Sequence, residues 1–297
     1  MSAPLPARHF VLALLVVAVW GTNFVVIKLG LAHLPPLLFA ALRFTFALLP
    51  AVFFLPRPAV PWRKLAAYGL LIGVGQFGVL YLAMRGHITP GLASLVVQTQ
   101  VFFTIGLAMR GSGEVVRPFQ WVALLLAAAG IVVIASHTSG SHTGGDTTVA
   151  GVLMVLLAAL SWAGGNIVSR AAGRVNMLAY VVWTSAFAVP PLFILSWCFE
   201  GSAAIEAGLR QADAVTWAAV LWQSVGNTLF GYAAWGWLLA RHPAATITPM
   251  ALLVPVFGMA ASAWWLGESL PAWKLVAAGL VMAGLALNLL WPRWRRA

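Results

Sequence analysis

The sequence predicts an all-α polytopic membrane protein of ten transmembrane helices, arranged as two inverted-topology five-helix repeats, and three observations lead there. The first is composition: 62% of the 297 residues are hydrophobic and 8% are charged, with a mean hydropathy of +0.95. A water-soluble domain averages about 45–50% apolar and about 25% charged residues, so a soluble globular fold is excluded. The second is the recurrence of apolar stretches of roughly 20 residues, the length that crosses a ~30 Å hydrocarbon core at ~1.5 Å per helical residue. The third is a weak self-similarity between the two halves of the chain.

The apolar stretches fall at 10–31, 35–55, 64–84, 90–110, 118–136, 149–169, 178–199, 215–240, 245–266 and 271–291. The first runs from Phe10 past Trp20 to Leu31 without a small-residue cleavage site, so it reads as a retained span and not a signal peptide. With the N-terminus inside, twelve of the 17 Lys and Arg lie at cytoplasmic ends: Arg8, Arg57, Arg63, Lys64, Arg110, Arg117, Arg170, Arg174, Arg241, Arg293, Arg295 and Arg296. Lys28, Arg85, Arg210 and Lys274 lie at the opposite ends and Arg43 within a span. This bias places both termini in the cytoplasm of a cell inner membrane, and it accounts for the net charge of +11 without nucleic acid. A single cysteine, Cys198, can form no intrachain disulfide and is silent on redox compartment. The two longest connections, 137–148 and 200–214, then face outside and are too short to be domains.

Trp20 and Lys28 match Trp162 and Arg170 at one offset, and Leu49-Pro50 matches Val189-Pro190 at a similar one. Later, Gly113-Glu114 and Ala129-Gly130 match Gly267-Glu268 and Ala283-Gly284. The shared order divides the chain into a first repeat over 1–136, an external linker over 137–148 and a second repeat over 149–297. Five spans is an odd number, so the second copy enters from the opposite side, the inverted arrangement of secondary transporters. A small-molecule substrate and the lipid bilayer are the expected partners, with no nucleic acid, no cofactor, no metal, and a monomer as the simplest assembly.

Five segments carry a family resemblance: WGTNFVVIKLGL from Trp20, PPLLFAALRF from Pro35, GLASLVVQTQVFFT from Gly91, SWAGGNIVSR from Ser161 and LLVPVFGMA from Leu252. Over nearly its whole length the chain resembles the EamA-type transporters of the drug/metabolite transporter superfamily, most closely bacterial exporters of cysteine, O-acetylserine and other amino acids. That resemblance implies a ten-helix inner-membrane exporter. Where family members often carry Glu-Arg-Leu, this chain has Glu114-Val115-Val116 and Glu268-Ser269-Leu270, which places the departure in loops at the membrane surface.

All six acids, Glu114, Asp146, Glu200, Glu206, Asp213 and Glu268, lie in or beside connections, and the histidines at 9, 33, 87, 137, 142 and 242 are peripheral too. Proton-driven carriers commonly use an intramembrane acid or histidine. Its absence leads to the expectation of facilitated or weakly coupled export by alternating access, with proton-coupled efflux of drugs or hydrophobic cations as the alternative. No HExxH, GxSxG or intramembrane acid pair is present, so an enzyme is not expected, and the lack of charge rings disfavours a channel.

Arg43 lies ~12 Å inside a span, at an insertion cost of about 2.5–3.5 kcal/mol, and must face backbone carbonyls, a watery cavity or a substrate carboxylate. Ser94 and Gln98 in the fourth span, and Gln223, Asn227, Gly231 and Trp235 in the eighth, recur every four residues along one helical face. Trp20 with Asn23, and Trp162 with Asn166, are similar pairs at corresponding places in the two halves. Gly69, Gly73, Gly75 and Gly78 in span three, with Gln76 set among them, and Gly226, Gly231 and Gly236 in span eight permit close approach or bending. Pro190 with Pro191, and Pro249 with Pro255, are expected to interrupt spans seven and nine. A zwitterionic solute needs donors for its carboxylate, a task for Arg43 or a half-helix N-terminus. It also needs acceptors or aromatic faces for its ammonium group, available from Gln98, Asn227, Tyr81 and Trp235. Each of these polar groups equally suits hydrogen bonding between helices.

Overall fold

The structure, a computed structural model, describes residues 5–112, 117–138, 147–173, 175–242 and 244–294. Glu114, His142, Asp146, Arg174, Arg295 and Arg296 lie outside them. Among the described residues nine helices are long and apolar enough to cross a membrane. The first seven are α1 (Ala7–Gly30), α2 (Pro36–Phe53), α3 (Trp62–Met84), α4 (Pro90–Met109), α5 (Pro118–Ser136), α6 (Val149–Ala171) and α7 (Met177–Gln211). The stretch expected to span at 215–240 is helical as Ala214–Leu221, Trp222–Phe230 and Gly231–Arg241, together α8, but is not one of the nine. Its run of Gln223, Ser224, Asn227 and Thr228 makes it too polar for that class. The remaining two of the nine are α9 (Thr248–Leu266) and α10 (Ala272–Trp291).

Local chemistry sets the helix ends. Pro36, Pro90 and Pro118 stand in the first turns of α2, α4 and α5, where a missing N–H costs nothing. Thr148, Asn176 and Asp213 cap α6, α7 and α8 by accepting the backbone N–H of Gly151, Ala179 and Thr216. Gly267 closes α9 in the left-handed conformation, φ 65°, which glycine adopts without Cβ strain.

Two expectations need correction. Pro190 and Pro191 keep helical dihedrals, and the only non-helical residue described inside α7 is Gly201, φ 79°. The connection expected over 200–214 is consequently helical as far as Gln211, a second short helix beyond the Gly201 kink. Met177 to Glu200 already meets the ~20-residue requirement of a bilayer, which is why the direction changes there.

The glycine-rich parts of α3 and α8 both widen into π-helix, over Leu70–Gly78 and Trp222–Phe230. In α8 the Thr228 hydroxyl donates to the Gln223 carbonyl five residues back at 2.8 Å, filling the wider turn. Wide turns of this kind rotate the side chains that follow them and occur often at functional sites. Helix α1 packs closely on α9: a Cβ added at Gly21 would sit 2.5 Å from Phe257 Cβ and 2.6 Å from the Val254 carbonyl oxygen. Helices α5 and α10 pair with each other and expose Trp121, Leu125, Leu275 and Val276, a surface suited to lipid.

Candidate functional site

A cavity of about 520 Å³ lies inside the bundle, within the range of small-molecule sites. Trp20 and Asn23 of α1, Gln76 of α3, Gln98 of α4, Trp162 and Asn166 of α6, and Asn227 and Trp235 of α8 all line it. Eight of the twelve residues expected to handle a substrate therefore share one space. Tyr68, Gln100, Ser169, Tyr232 and Thr248, which were not singled out from the sequence, line it too. No Asp, Glu, Lys, Arg or His is among the described residues of the wall.

Within the wall, Trp20 donates from Nε1 to the Asn227 carbonyl at 3.2 Å and packs against Trp235, ring centroids 5.2 Å apart. Asn166 donates from Nδ2 to Gln100 Oε1 at 2.8 Å and to Thr104 Oγ1 at 3.2 Å. Gln76 is 3% exposed and its Oε1 has no hydrogen-bond partner. A buried acceptor left unpaired costs about 1–3 kcal/mol.

The other four expected residues stand behind the wall. Ser94 is fully buried, donates to the Gly91 carbonyl at 2.7 Å and packs on Gly258, so it joins α4 to α9. Arg43, Tyr81 and Gln223 form one buried hydrogen-bonded chain. Arg43, 0% exposed, donates from Nη1 to Tyr81 Oη at 3.1 Å and from Nε and Nη2 to Thr228 Oγ1 at 3.2 and 3.0 Å. Its guanidinium lies over the Phe77 ring, 3.6 Å from the centroid. Tyr81 donates to Gln223 Oε1 at 2.9 Å, and Gln223 Nε2 donates to Asn23 Oδ1 at 2.6 Å. Arg43 thus faces hydroxyls and an aromatic ring, and it borders a small cavity of about 10 Å³ shared with Tyr68, Thr184 and Tyr232. Sequence spacing shows the depth of a charge but not which neighbouring helices supply its partners.

The acids are less peripheral than their positions imply. Glu200 accepts the N–H groups of Leu37 and Leu38 at 2.7 and 3.1 Å, and the Ser196 hydroxyl at 2.6 Å. Glu268 accepts from Thr89 Oγ1, from the Gly91 N–H at 3.0 Å, from Ser262 Oγ and from Lys274 Nζ at 2.9 Å. Both carboxylates thus sit at helix N-termini, those of α2 and α4, where unpaired N–H groups and the helix dipole favour an anion. Side chains of Glu268 and Lys274 are each 7% exposed. Burial pushes the Glu268 carboxyl up, but the hydrogen bonds from Ser262, Thr89 and Lys274 and the Lys274 charge outweigh it and hold it below the usual carboxylate range.

The loop is exposed at Gly267 and Ser269, as expected, but the Glu268 side chain within it is a buried clamp. It joins the start of α4 to the α9–α10 turn and lies at the same end of the bundle as Glu200. A depression of about 480 Å³, lined by Lys28, Thr89, His137, Glu268 and Lys274, opens at this end. The cavity reaches the other way, toward Ser169, Met177 and Leu289. Leu289 lies 15 residues along α10 from Lys274, ~22 Å by helical rise.

Membrane-spanning helices around an uncharged cavity of mixed polar and apolar lining define a multi-pass membrane transporter, with a small-molecule substrate and lipid as its partners. The chain belongs to the EamA-like transporter family, which matches residues 8–136 and 149–290, and this makes it a transporter and not an enzyme. It is 41% identical over 290 residues to a protein of Salmonella typhimurium named probable amino-acid metabolite efflux pump, covering 96% of each chain. It is 40% identical over 292 residues to an Escherichia coli protein of the same name, covering 97% of this chain and 96% of that one. An uncharacterized transporter of Bacillus subtilis, YoaV, is 25% identical over 281 residues, covering 92% and 94%. A solved crystal structure shares the fold at 19% identity, with a TM-score of 0.65 and coverage of 99% of this chain and 100% of that one.

Proposed function

We propose that the chain is a bacterial inner-membrane exporter of amino acids and related metabolites that works by alternating access and needs no ion gradient. The observation that carries this reading is the lack of any charged side chain among the described residues of the cavity wall, where carboxamides, hydroxyls and indoles are set among apolar side chains such as Phe24, Ile27, Leu80, Val101 and Leu285. A zwitterion has no net charge, so neutral dipoles can match both of its ends while holding it weakly enough to let go. A hydrophobic cation would need a carboxylate that this wall lacks, which disfavours drug efflux. The efflux-pump names of the two relatives at 40–41% identity point the same way.

Alternating access follows from the two ends of the bundle. With the termini inside, Glu200 and Glu268 of the second half hold the outer starts of α2 and α4 of the first half, and the cavity leads to the cytoplasmic ends. That is an arrangement closed to the outside, ready to load solute from the cell. The paired π-helical segments in α3 and α8 and the pairs Trp20–Asn23 and Trp162–Asn166 support two inverted repeats, 1–136 and 149–297, rocking about the cavity. Glu268 does not supply proton coupling near neutral pH, because its carboxyl stays ionised well below that range.

Counterflow of a labelled amino-acid panel in proteoliposomes, with no imposed ion gradient, tests this. Saturable exchange of one or more amino acids is expected. Exchange absent from folded protein, or seen only with lipophilic cations, would overturn it.

A further inference from the structure

The buried chain from Arg43 to Asn23 has a direction, and that direction reaches the cavity. A guanidinium carries donors and no acceptor, so Tyr81 Oη must accept from it. The single Tyr81 proton is then free for Gln223 Oε1, Gln223 offers its nitrogen, and Asn23 Oδ1 accepts. Asn23 lines the cavity, and with its oxygen engaged its Nδ2 N–H groups remain for a solute. Reversing both amides would make Tyr81 accept twice and leave its own proton without a partner in a buried place. It would also turn the positive ends of both amide dipoles toward Arg43. No carboxylate is among the described partners of Arg43, so its charge is not cancelled and its field persists along the chain.

We propose that Arg43 is a positioning residue that acts through Tyr81 and Gln223 to fix Asn23 as a hydrogen-bond donor in the cavity, making Asn23 the subsite for the carboxylate of the transported solute. The proposal rests on the amino-acid reading above and adds which end of the solute binds where. The opposite end is left to the other neutral groups of the wall, the Gln98 and Asn227 amides and the Trp235 ring. Arg43 never meets the solute, since it lies behind the wall.

The test is counterflow of the panel amino acid that exchanges best, with its decarboxylated amine and its carboxamide as competitors. Wild type is expected to discriminate against both competitors. Tyr81→Phe removes the relay while keeping Arg43, and should raise the amino acid's half-saturation about tenfold, with a much smaller change in maximal flux, and narrow the discrimination by a similar factor. Asn23→Asp turns an oxygen toward the solute and should abolish amino-acid exchange while admitting the amine. Arg43→Lys should retain more selectivity than Arg43→Met. If Arg43→Met does not fold, Tyr81→Phe and Asn23→Asp still decide the matter. A selectivity ratio that stays at the wild-type value in folded Tyr81→Phe overturns the proposal, as does an Asn23→Asp variant that still exchanges the amino acid. Wild type that exchanges amines as readily as amino acids defeats the subsite alone and leaves an amino-acid carrier standing. No exchange of any amino acid removes the functional reading and the subsite together.

Discussion

Glu268→Gln is the change that most sharply tests whether the end of the bundle assigned above to the outside is held shut. Every partner of this carboxylate is a donor: Thr89 and Lys274 on Oε1, Gly91 N–H and Ser262 on Oε2. An amide must put its NH2 group on one side or the other, where it meets either the Lys274 ammonium or a backbone N–H. Lys274, whose side chain is 7% exposed, keeps the Ser269 carbonyl at 3.0 Å and the face of the Trp273 ring at 5.7 Å but no carboxylate among the described residues. Stripping one partner from a buried ion pair costs about 3–5 kcal/mol. In an arrangement open to the outside both groups would be hydrated and the change nearly neutral, so this cost falls on the closed state. The lower figure shifts the equilibrium toward outward opening by ~150-fold. The assay is reaction of Val97→Cys, in a Cys198→Ser background, with an impermeant thiol reagent applied to right-side-out vesicles. Val97 lines the cavity and is 2% exposed. Labelling should accelerate about 100-fold in Glu268→Gln. An unchanged labelling rate in folded protein would refute the clamp.

Lowering pH should act on the same contact with a defined sign. The folded carboxyl of Glu268 is held below its ordinary range, so its contribution is complete above that range and is lost as pH falls through the folded value. Val97→Cys labelling is expected to be flat between pH 5 and 8 and to rise only in more acidic buffer; a rise centred near neutral pH would contradict this. Gly21→Val should lower stability by about 1–3 kcal/mol, measured by thermal unfolding in detergent, because the added Cβ meets Phe257 Cβ and the Val254 carbonyl at 2.5 and 2.6 Å. Gln76→Leu should leave thermal stability equal or higher, measured by thermal unfolding in detergent, since it removes an unpaired buried acceptor. Gln98→Ala and Asn227→Ala should each reduce flux at normal expression, read by counterflow, if their amides meet the solute from the wall they line.

Periodicity and residue type made much of this architecture legible. The span positions follow from hydropathy because a bilayer leaves few alternatives to helices of that length. Of the four-residue series Gln223, Asn227, Gly231 and Trp235, Asn227 and Trp235 line the cavity while Gln223 lies behind it, and the glycine-rich parts of α3 and α8, read as sites of close approach or bending, fall where both helices widen. What the sequence hid was non-local. Glu268 reads as a surface residue because Gly267 ends a helix beside it, yet the turn folds back onto the start of α4 and buries it. Arg43 shows its depth in its own span, but Tyr81, Thr228 and Phe77 come from two other helices. Ser94 shares a face with Gln98 and still misses the cavity, because its side chain packs on Gly258 of α9 and donates back to the Gly91 carbonyl.

Net efflux of the best-exchanged amino acid from preloaded proteoliposomes, with and without an imposed pH gradient or potassium diffusion potential, tests most directly whether a neutral cavity carries a neutral zwitterion. The expected rate follows the solute gradient alone and is the same under all three conditions, because no charge moves and no proton is exchanged. A rate that rises with either imposed gradient would contradict uncoupled export and place the energy source in a group outside this wall.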